Sequence, residues 1–163
     1  MKYVANPAKR IKLAYMGGSR GWAWKLMADL ALEPDLSGEV DLYDIDFEAA
    51  YDNAIIGNKI SSRPEPKGKW NYRAVRTLEE AIGGADFIII SIQPGTFKEM
   101  ASDVHLPEQY GIYQSVGDTV GPGGLVRALR TIPIYQELAL KIKEYAPQAW
   151  VINYTNPMSL CTR

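Results

Sequence analysis

Lys9–Gly21 reads KRIKLAYMGGSRG. Ile11, Leu13, Tyr15 and Met16 form a short apolar run with Lys9 and Arg10 ahead of it and glycines behind it. That pattern predicts a buried strand entering a tight turn. Trp22, Leu26, Met27 and Leu30 then recur at helical spacing, so the turn delivers the chain into a helix. Strand, glycine turn and helix make the first half of a nucleotide-binding βαβ unit. There the backbone can approach a pyrophosphate, and the helix N-terminus offers it free N–H groups and a positive dipole end. The fingerprint G-x-G-x-x-G would place glycine at position 16, where Met16 stands; Gly18-x-x-Gly21, with Gly17 beside it, is present. Taken alone, such a stretch reads equally well as an ordinary turn.

Working outward, Glu39–Tyr43 alternates polar and apolar residues and ends in Asp44-Ile45-Asp46. Asp44 stands 23 residues beyond Gly21, where a dinucleotide fold hydrogen-bonds the adenosine ribose. Its carboxylate would repel the extra phosphate of NADP, which favours NAD. Asp46 is better read as the N-cap of a helix from Phe47 to about Ile60, with Phe47, Tyr51, Ala54 and Ile55 on one face. Trp70–Arg76 alternates as a strand, and Thr77 caps a short helix, Leu78–Ile82. Asp86–Ser91 (DFIIIS) is nearly all apolar, as a central parallel strand should be. Leu125–Tyr145 is helical with a break expected at Pro133, and Ile134, Leu138 and Ile142 form the buried stripe of its second part. Trp150–Tyr154 is a fifth strand. Strands alternating with helices predict an α/β, Rossmann-like, doubly wound parallel sheet.

Three stretches remain outside that regular pattern. The loop after the fourth strand opens with Gln93-Pro94-Gly95 and faces the ligand side of the sheet by position. Gly111–Gly124 (GIYQSVGDTVGPGG) carries five glycines and one carboxylate, Asp118, in fourteen residues, which suggests a backbone wrapped closely around something. Arg127 and Arg130 follow on the helix and could face an anion or solvent. The fifth strand ends in Asn153-Tyr154-Thr155-Asn156-Pro157. The single histidine, His105, has no visible partner in the sequence and reads more readily as structural or exposed than as catalytic.

Composition narrows the partners. The chain has 163 residues, 47% hydrophobic and 23% charged, with a formal net charge of −1. That balance disfavours nucleic acid and membrane surfaces, and no apolar run is long enough to span a bilayer. No secretory leader is legible, and one cysteine, Cys161, excludes an internal disulfide. A cytoplasmic setting is the expectation.

The glycine turn, Asp44, the Gln93 loop, GDTVGPGG and NYTNP together resemble the N-terminal domain of glycoside hydrolase family 4, the NAD- and metal-dependent glycosidases. YDIDFEAA, GIYQSVGDTVGPGG and WVINYTNPMS are most similar to the α-galacturonidase branch, near its α-galactosidase-like members. The resemblance covers Lys12 to Arg163 and implies a fold similar to lactate and malate dehydrogenases. By it, Gly17, Gly18, Ser19, Arg20 and Gly21 hold the pyrophosphate and Asp44 the ribose. Gln93 and Asn153 line the cofactor groove, while Asn156 and Asp118 hydrogen-bond the sugar. Phosphosugar-cleaving members carry an arginine in the loop after strand four; Gln93-Pro94-Gly95 here implies a substrate without that phosphate.

The same resemblance implies that residues 1–163 are a truncated NAD-binding domain, with the metal ligands and the catalytic base in an absent C-terminal domain. The divalent metal is expected to be manganese, and Cys161 does not match its cysteine ligand. A sugar substrate and a homo-oligomer are expected. The implied chemistry is oxidation at sugar C3, proton loss at C2, elimination of the aglycone, water addition and re-reduction. A 2-hydroxy acid dehydrogenase and a non-catalytic NAD-binding module remain the alternatives.

Overall fold

A computed structural model describes residues 10–19 and 21–163; Lys9 and Arg20 lie outside the described residues. Strand β1 (Arg10–Met16) leads through the glycine turn into helix α1 (Gly21–Leu32), then β2 (Ser37–Tyr43) and α2 (Phe47–Ser61). After β3 (Lys69–Val75) come a short α3 (Leu78–Ile82) and β4 (Phe87–Ile90). Helix α4 (Phe97–His105) passes into a 3-10 turn, and α5 (Pro122–Tyr145), β5 (Trp150–Asn153) and α6 (Met158–Cys161) complete the chain. The five strands lie in the order β3-β2-β1-β4-β5, with β1 parallel to β2 and β4, and β2 parallel to β3. This is the doubly wound class expected of the sequence pattern.

The described residues group into two compact units. One runs to Ser91 and takes in Ile142–Ile152; the other comprises Ile92–Lys141 and Asn153–Arg163. In the first unit, period-two alternation sends Leu13, Tyr15, Val40, Leu42, Trp70 and Tyr72 to one face of the sheet. There they bury against Met27 and Leu30 of α1 and Ala50 and Ala54 of α2. On β2, Asp41 is wholly buried yet charge-balanced: Arg73 donates to both its oxygens at 2.8 Å, and Lys12 Nζ lies 2.9 Å away. The two cations offset the cost of burying that charge.

Three expectations are corrected. Trp22 does not face the core but is 71% exposed; α1 buries Ala23, Met27, Leu30 and Ala31 instead. On α2, Tyr51 and Ile55 are exposed, and the buried stripe is Ala50, Asn53, Ala54 and Gly57. Small residues win on that face because the helix lies close to the sheet. Phe47 and Tyr51 stack on each other instead, with the Arg76 guanidinium over the Phe47 ring at 3.8 Å.

Finally, Pro133 does not break α5, which is continuous from Pro122, itself a first-turn proline. Arg127, Ala128, Thr131, Tyr135 and Leu138 form one buried stripe running past Pro133. Packing along that stripe outweighs the roughly 3 kcal/mol that an interior proline costs a helix. Of the expected stripe only Leu138 is buried; Ile134 is exposed and Ile142 half-buried.

Candidate functional site

The strand-to-helix turn of the first unit is built from backbone held at both ends. Gly17 takes the left-handed conformation, φ 96°. Gly17 and Gly18 both donate their N–H groups to the Tyr43 carbonyl at 3.0 Å, tying the turn to the end of β2. Ser19 N–H donates to Asp44 Oδ2 at 3.0 Å, and Asp46 N–H to Asp44 Oδ1 at 3.0 Å. Among the described residues, each Asp44 oxygen thus accepts one backbone donor. As expected, Asp46 caps α2, accepting from Ala49 N–H. Gly17, Gly18, Ser19 and Asp44 thus come together as one set, with Gly21 opening α1.

A residue that sequence reasoning missed completes this set. Asn53, buried on the inner face of α2, donates from Nδ2 to the Gly18 carbonyl at 2.7 Å. Its Oδ1 accepts from Trp24 Nε1 at 2.5 Å. An asparagine inside a stripe of alanine and glycine is the only signal the sequence carried for it.

In the second unit, three expected residues gather around the NYTNP turn. Asn153 Oδ1 accepts from the Tyr135 hydroxyl at 2.6 Å and from Thr155 N–H at 2.8 Å, while its Nδ2 donates to Thr155 O. Burial pushes the Tyr135 pKa well up, so its hydroxyl stays a donor. Thr155 Oγ1 accepts Ile92 N–H at 2.9 Å, joining NYTNP to the loop after β4. Asn156 Oδ1 accepts from Thr119 Oγ1 at 3.2 Å, joining it to the glycine-rich loop. Asp118 pairs with Arg127 of α5 at 3.3 Å and remains part-exposed. Gln93 is half-buried and directs its Nε2 toward the Met100 sulfur at 3.9 Å.

The glycine-rich loop does wrap around something, and it is a side chain of its own. A Cβ on Gly117, Gly121 or Gly123 would fall 2.8, 2.5 or 3.1 Å from the Gln114 amide atoms. The glycines make room for Gln114, and Asp118 and Thr119 are held where that packing puts them. Neither arginine on α5 faces solvent alone. Arg130 forks onto buried Asp103, at 2.5 and 3.3 Å, and its Nε donates to the Pro94 carbonyl. His105 lies 3.0 Å from Glu108 on an exposed turn, as a structural histidine would. Cys161 is a free, half-buried thiol whose pKa burial raises. No group of three His, Cys, Asp or Glu among the described residues could hold a metal.

The sequence model of the family 4 glycosyl hydrolases matches residues 12–163. An alpha-galacturonidase of Thermoanaerobacterium saccharolyticum is 66% identical over 164 residues, spanning all of this chain and 35% of that protein. A solved Bacillus subtilis structure, provisionally named a glucosidase, superposes with a TM-score of 0.86 at 57% identity, over 94% of this chain and 34% of its own. A 6-phospho-beta glucosidase of Thermotoga maritima, solved with manganese, NAD+ and glucose-6-phosphate, gives 0.76 at 26% identity, over 91% and 35%. At 20% identity and a TM-score of 0.60, over 90% of this chain and 37% of the other, malate dehydrogenase of Plasmodium falciparum shares the fold. The chain spans about a third of the length of these relatives.

Proposed function

The chain belongs to the family 4 glycosyl hydrolases, and from that premise we propose that it is the NAD-binding part of a glycosidase that opens α-galacturonides. The observation that carries the substrate class is 66% identity with an alpha-galacturonidase along the whole of this chain. The glycine turn supports the cofactor: its peptides are already fixed by Tyr43, Asp44 and Asn53, so little ordering is left for binding to supply. Gly17, Gly18, Ser19, Arg20 and Gly21 would hold the pyrophosphate, the first three by letting the backbone come close, since their own N–H groups are already given to Tyr43 and Asp44, and Asp44 would accept from a ribose hydroxyl. Gln93 and Asn153 would line the groove, with Asn153 bracing the strand end. Asp118 and Asn156 would orient the sugar hydroxyls.

Held by these residues, NAD would supply a reversible hydride acceptor for sugar C3, and a divalent metal, manganese by analogy, would supply Lewis-acid stabilisation for the charge left when the C2 proton departs. The metal ligands and the base that takes that proton are assigned to chain outside these 163 residues. A sugar lacking a phosphate is favoured by Arg130, whose guanidinium is already spent on Asp103. The enzyme is further proposed to be cytoplasmic and homo-oligomeric; no helix among the described residues is long and apolar enough to cross a membrane.

The test is hydrolysis of an α-galacturonide by the full-length protein in D₂O. Cleavage should need both NAD and manganese, released sugar should carry deuterium at C2, and NADH should not accumulate. Cleavage that persists without NAD, or product without deuterium, would overturn the reading. NADH rising in step with substrate would point to a simple dehydrogenase instead.

A further inference from the structure

We propose that Asn53 is a positioning residue of the cofactor turn, acting through the Gly18–Ser19 peptide, with Trp24 setting the orientation of its amide. The proposal rests on the reading that this turn holds the cofactor pyrophosphate.

In a trans peptide the carbonyl and the N–H point in opposite directions. The Gly18 carbonyl is held by Asn53 Nδ2 at 2.7 Å, and the Ser19 N–H by Asp44 Oδ2 at 3.0 Å. Two side chains from different elements therefore clamp one peptide from both sides. Rotating that peptide would turn its carbonyl oxygen toward the Asp44 carboxylate and, on the other side, set its N–H against the Asn53 N–H groups. Both contacts would be repulsive, so the clamp specifies a single orientation. With the carbonyl turned toward α2, the ligand side of the turn is spared an acceptor that would repel a phosphate.

The Asn53 amide has two ends that packing alone would not distinguish. Trp24 Nε1 can only donate and the Gly18 carbonyl can only accept, so the pair fixes which end faces which. Asn53 is 3% exposed, between Ala50, Ala54 and Gly57 on the inner face of α2. An apolar side chain would satisfy that packing better than an amide, and asparagine is a poor helix former. The hydrogen bonds are what the position is for.

The test is calorimetric titration of NAD into the full-length protein, as wild type, Asn53→Leu, Trp24→Phe and the double variant, with melting temperatures and the KM and kcat dependence on NAD measured alongside. Asn53→Leu should weaken NAD about tenfold, the size of one lost hydrogen bond that leaves its partner unsatisfied. The loss should appear in KM for NAD with kcat largely kept. Trp24→Phe should weaken NAD in the same direction by less, and the double variant should match Asn53→Leu, because Trp24 acts through Asn53. Trp24 is half-exposed, so its variant keeps the test alive should Asn53→Leu fail to fold. A lowered melting temperature with unchanged NAD affinity in Trp24→Phe and in any folded Asn53 variant would reduce the pair to packing and overturn the proposal. Wild type that does not bind NAD would overturn the cofactor reading itself.

Discussion

A methyl group on Gly18 would sit 2.8 Å from Leu42 Cβ and 3.1 Å from its Cα, whereas one on Gly21 meets nothing within 4 Å. The two glycines look alike in a fingerprint and differ in what they do. Gly18→Ala should push the turn off β2 and cost about 1–3 kcal/mol in denaturant unfolding. Gly21→Ala, at the start of α1, should be neutral or gain up to about 1 kcal/mol. Equal costs at both positions would show that steric approach to Leu42 is not what Gly18 is for. Asp44 carries the second prediction at this scale. Wild type should bind NAD more tightly than NADP, and Asp44→Ala should lose about tenfold or more of its NAD affinity together with the preference. Calorimetry with both cofactors decides it: equal affinities in wild type, or a preference that survives the substitution, remove Asp44 from the ribose. The placement of Asp44 beside the glycine turn was legible because it follows from the length of a βαβ unit. Asn53 was not, because its partners Trp24 and Gly18 stand 29 and 35 residues away and nothing local marks it.

Helix α4 shows how much one element owes to its first turn. Thr96 and Glu99 form a reciprocal capping box, with Thr96 Oγ1 accepting from Lys98 N–H and Glu99 Oε2 accepting from Thr96 N–H at 2.7 Å. The Thr96 hydroxyl and then the backbone donors hold the Glu99 carboxyl down to about 2 from an ordinary 4.5. A carboxyl depressed on folding contributes stability above its unfolded pKa and loses it as the pH falls through the folded one. The stability gap between wild type and Glu99→Gln should thus be full above pH 4.5 and close as the pH approaches 2. Paired urea titrations across that range test it, and a gap independent of pH would show that the charge plays no part. Such local punctuation was read at two elements, where Thr77 announces α3 and Asp46 announces α2, but not at α4, whose own capping box went unread. Pro133 misled because a local rule was applied where a long buried stripe decides, and Trp22 because helical spacing does not say which face the sheet covers. The glycine-rich loop was legible as a wrapped segment, but its content, Gln114, could be identified only once the chain had folded.

At the scale of the sheet, the doubly wound class followed from strands alternating with helices and from the uniform apolarity of β4; the strand order and the difference between the two edges came only with the structure. On the β3 edge, Lys69, Asn71 and Arg73 are exposed, and charge of that kind blunts strand addition. The β5 edge carries Trp150, Val151 and Ile152, exposed by 73, 48 and 40%. An edge strand with unpaired backbone groups and apolar side chains is a template for another strand. The 163-residue chain on its own should therefore self-associate through β5, with its weight-average sedimentation coefficient rising with concentration. Val151→Lys places a cation in the middle of the strand, where pairing with a second copy would bring two like charges close together. That variant should sediment as a monomer over the same range and keep the melting temperature of wild type to within a few degrees, since Val151 is about half exposed. A wild-type chain that stays monomeric would show that the β5 edge is not adhesive. Association that persists in Val151→Lys would move the contact elsewhere, and the exposed Leu125 and Leu129 of α5 would be the next positions to substitute.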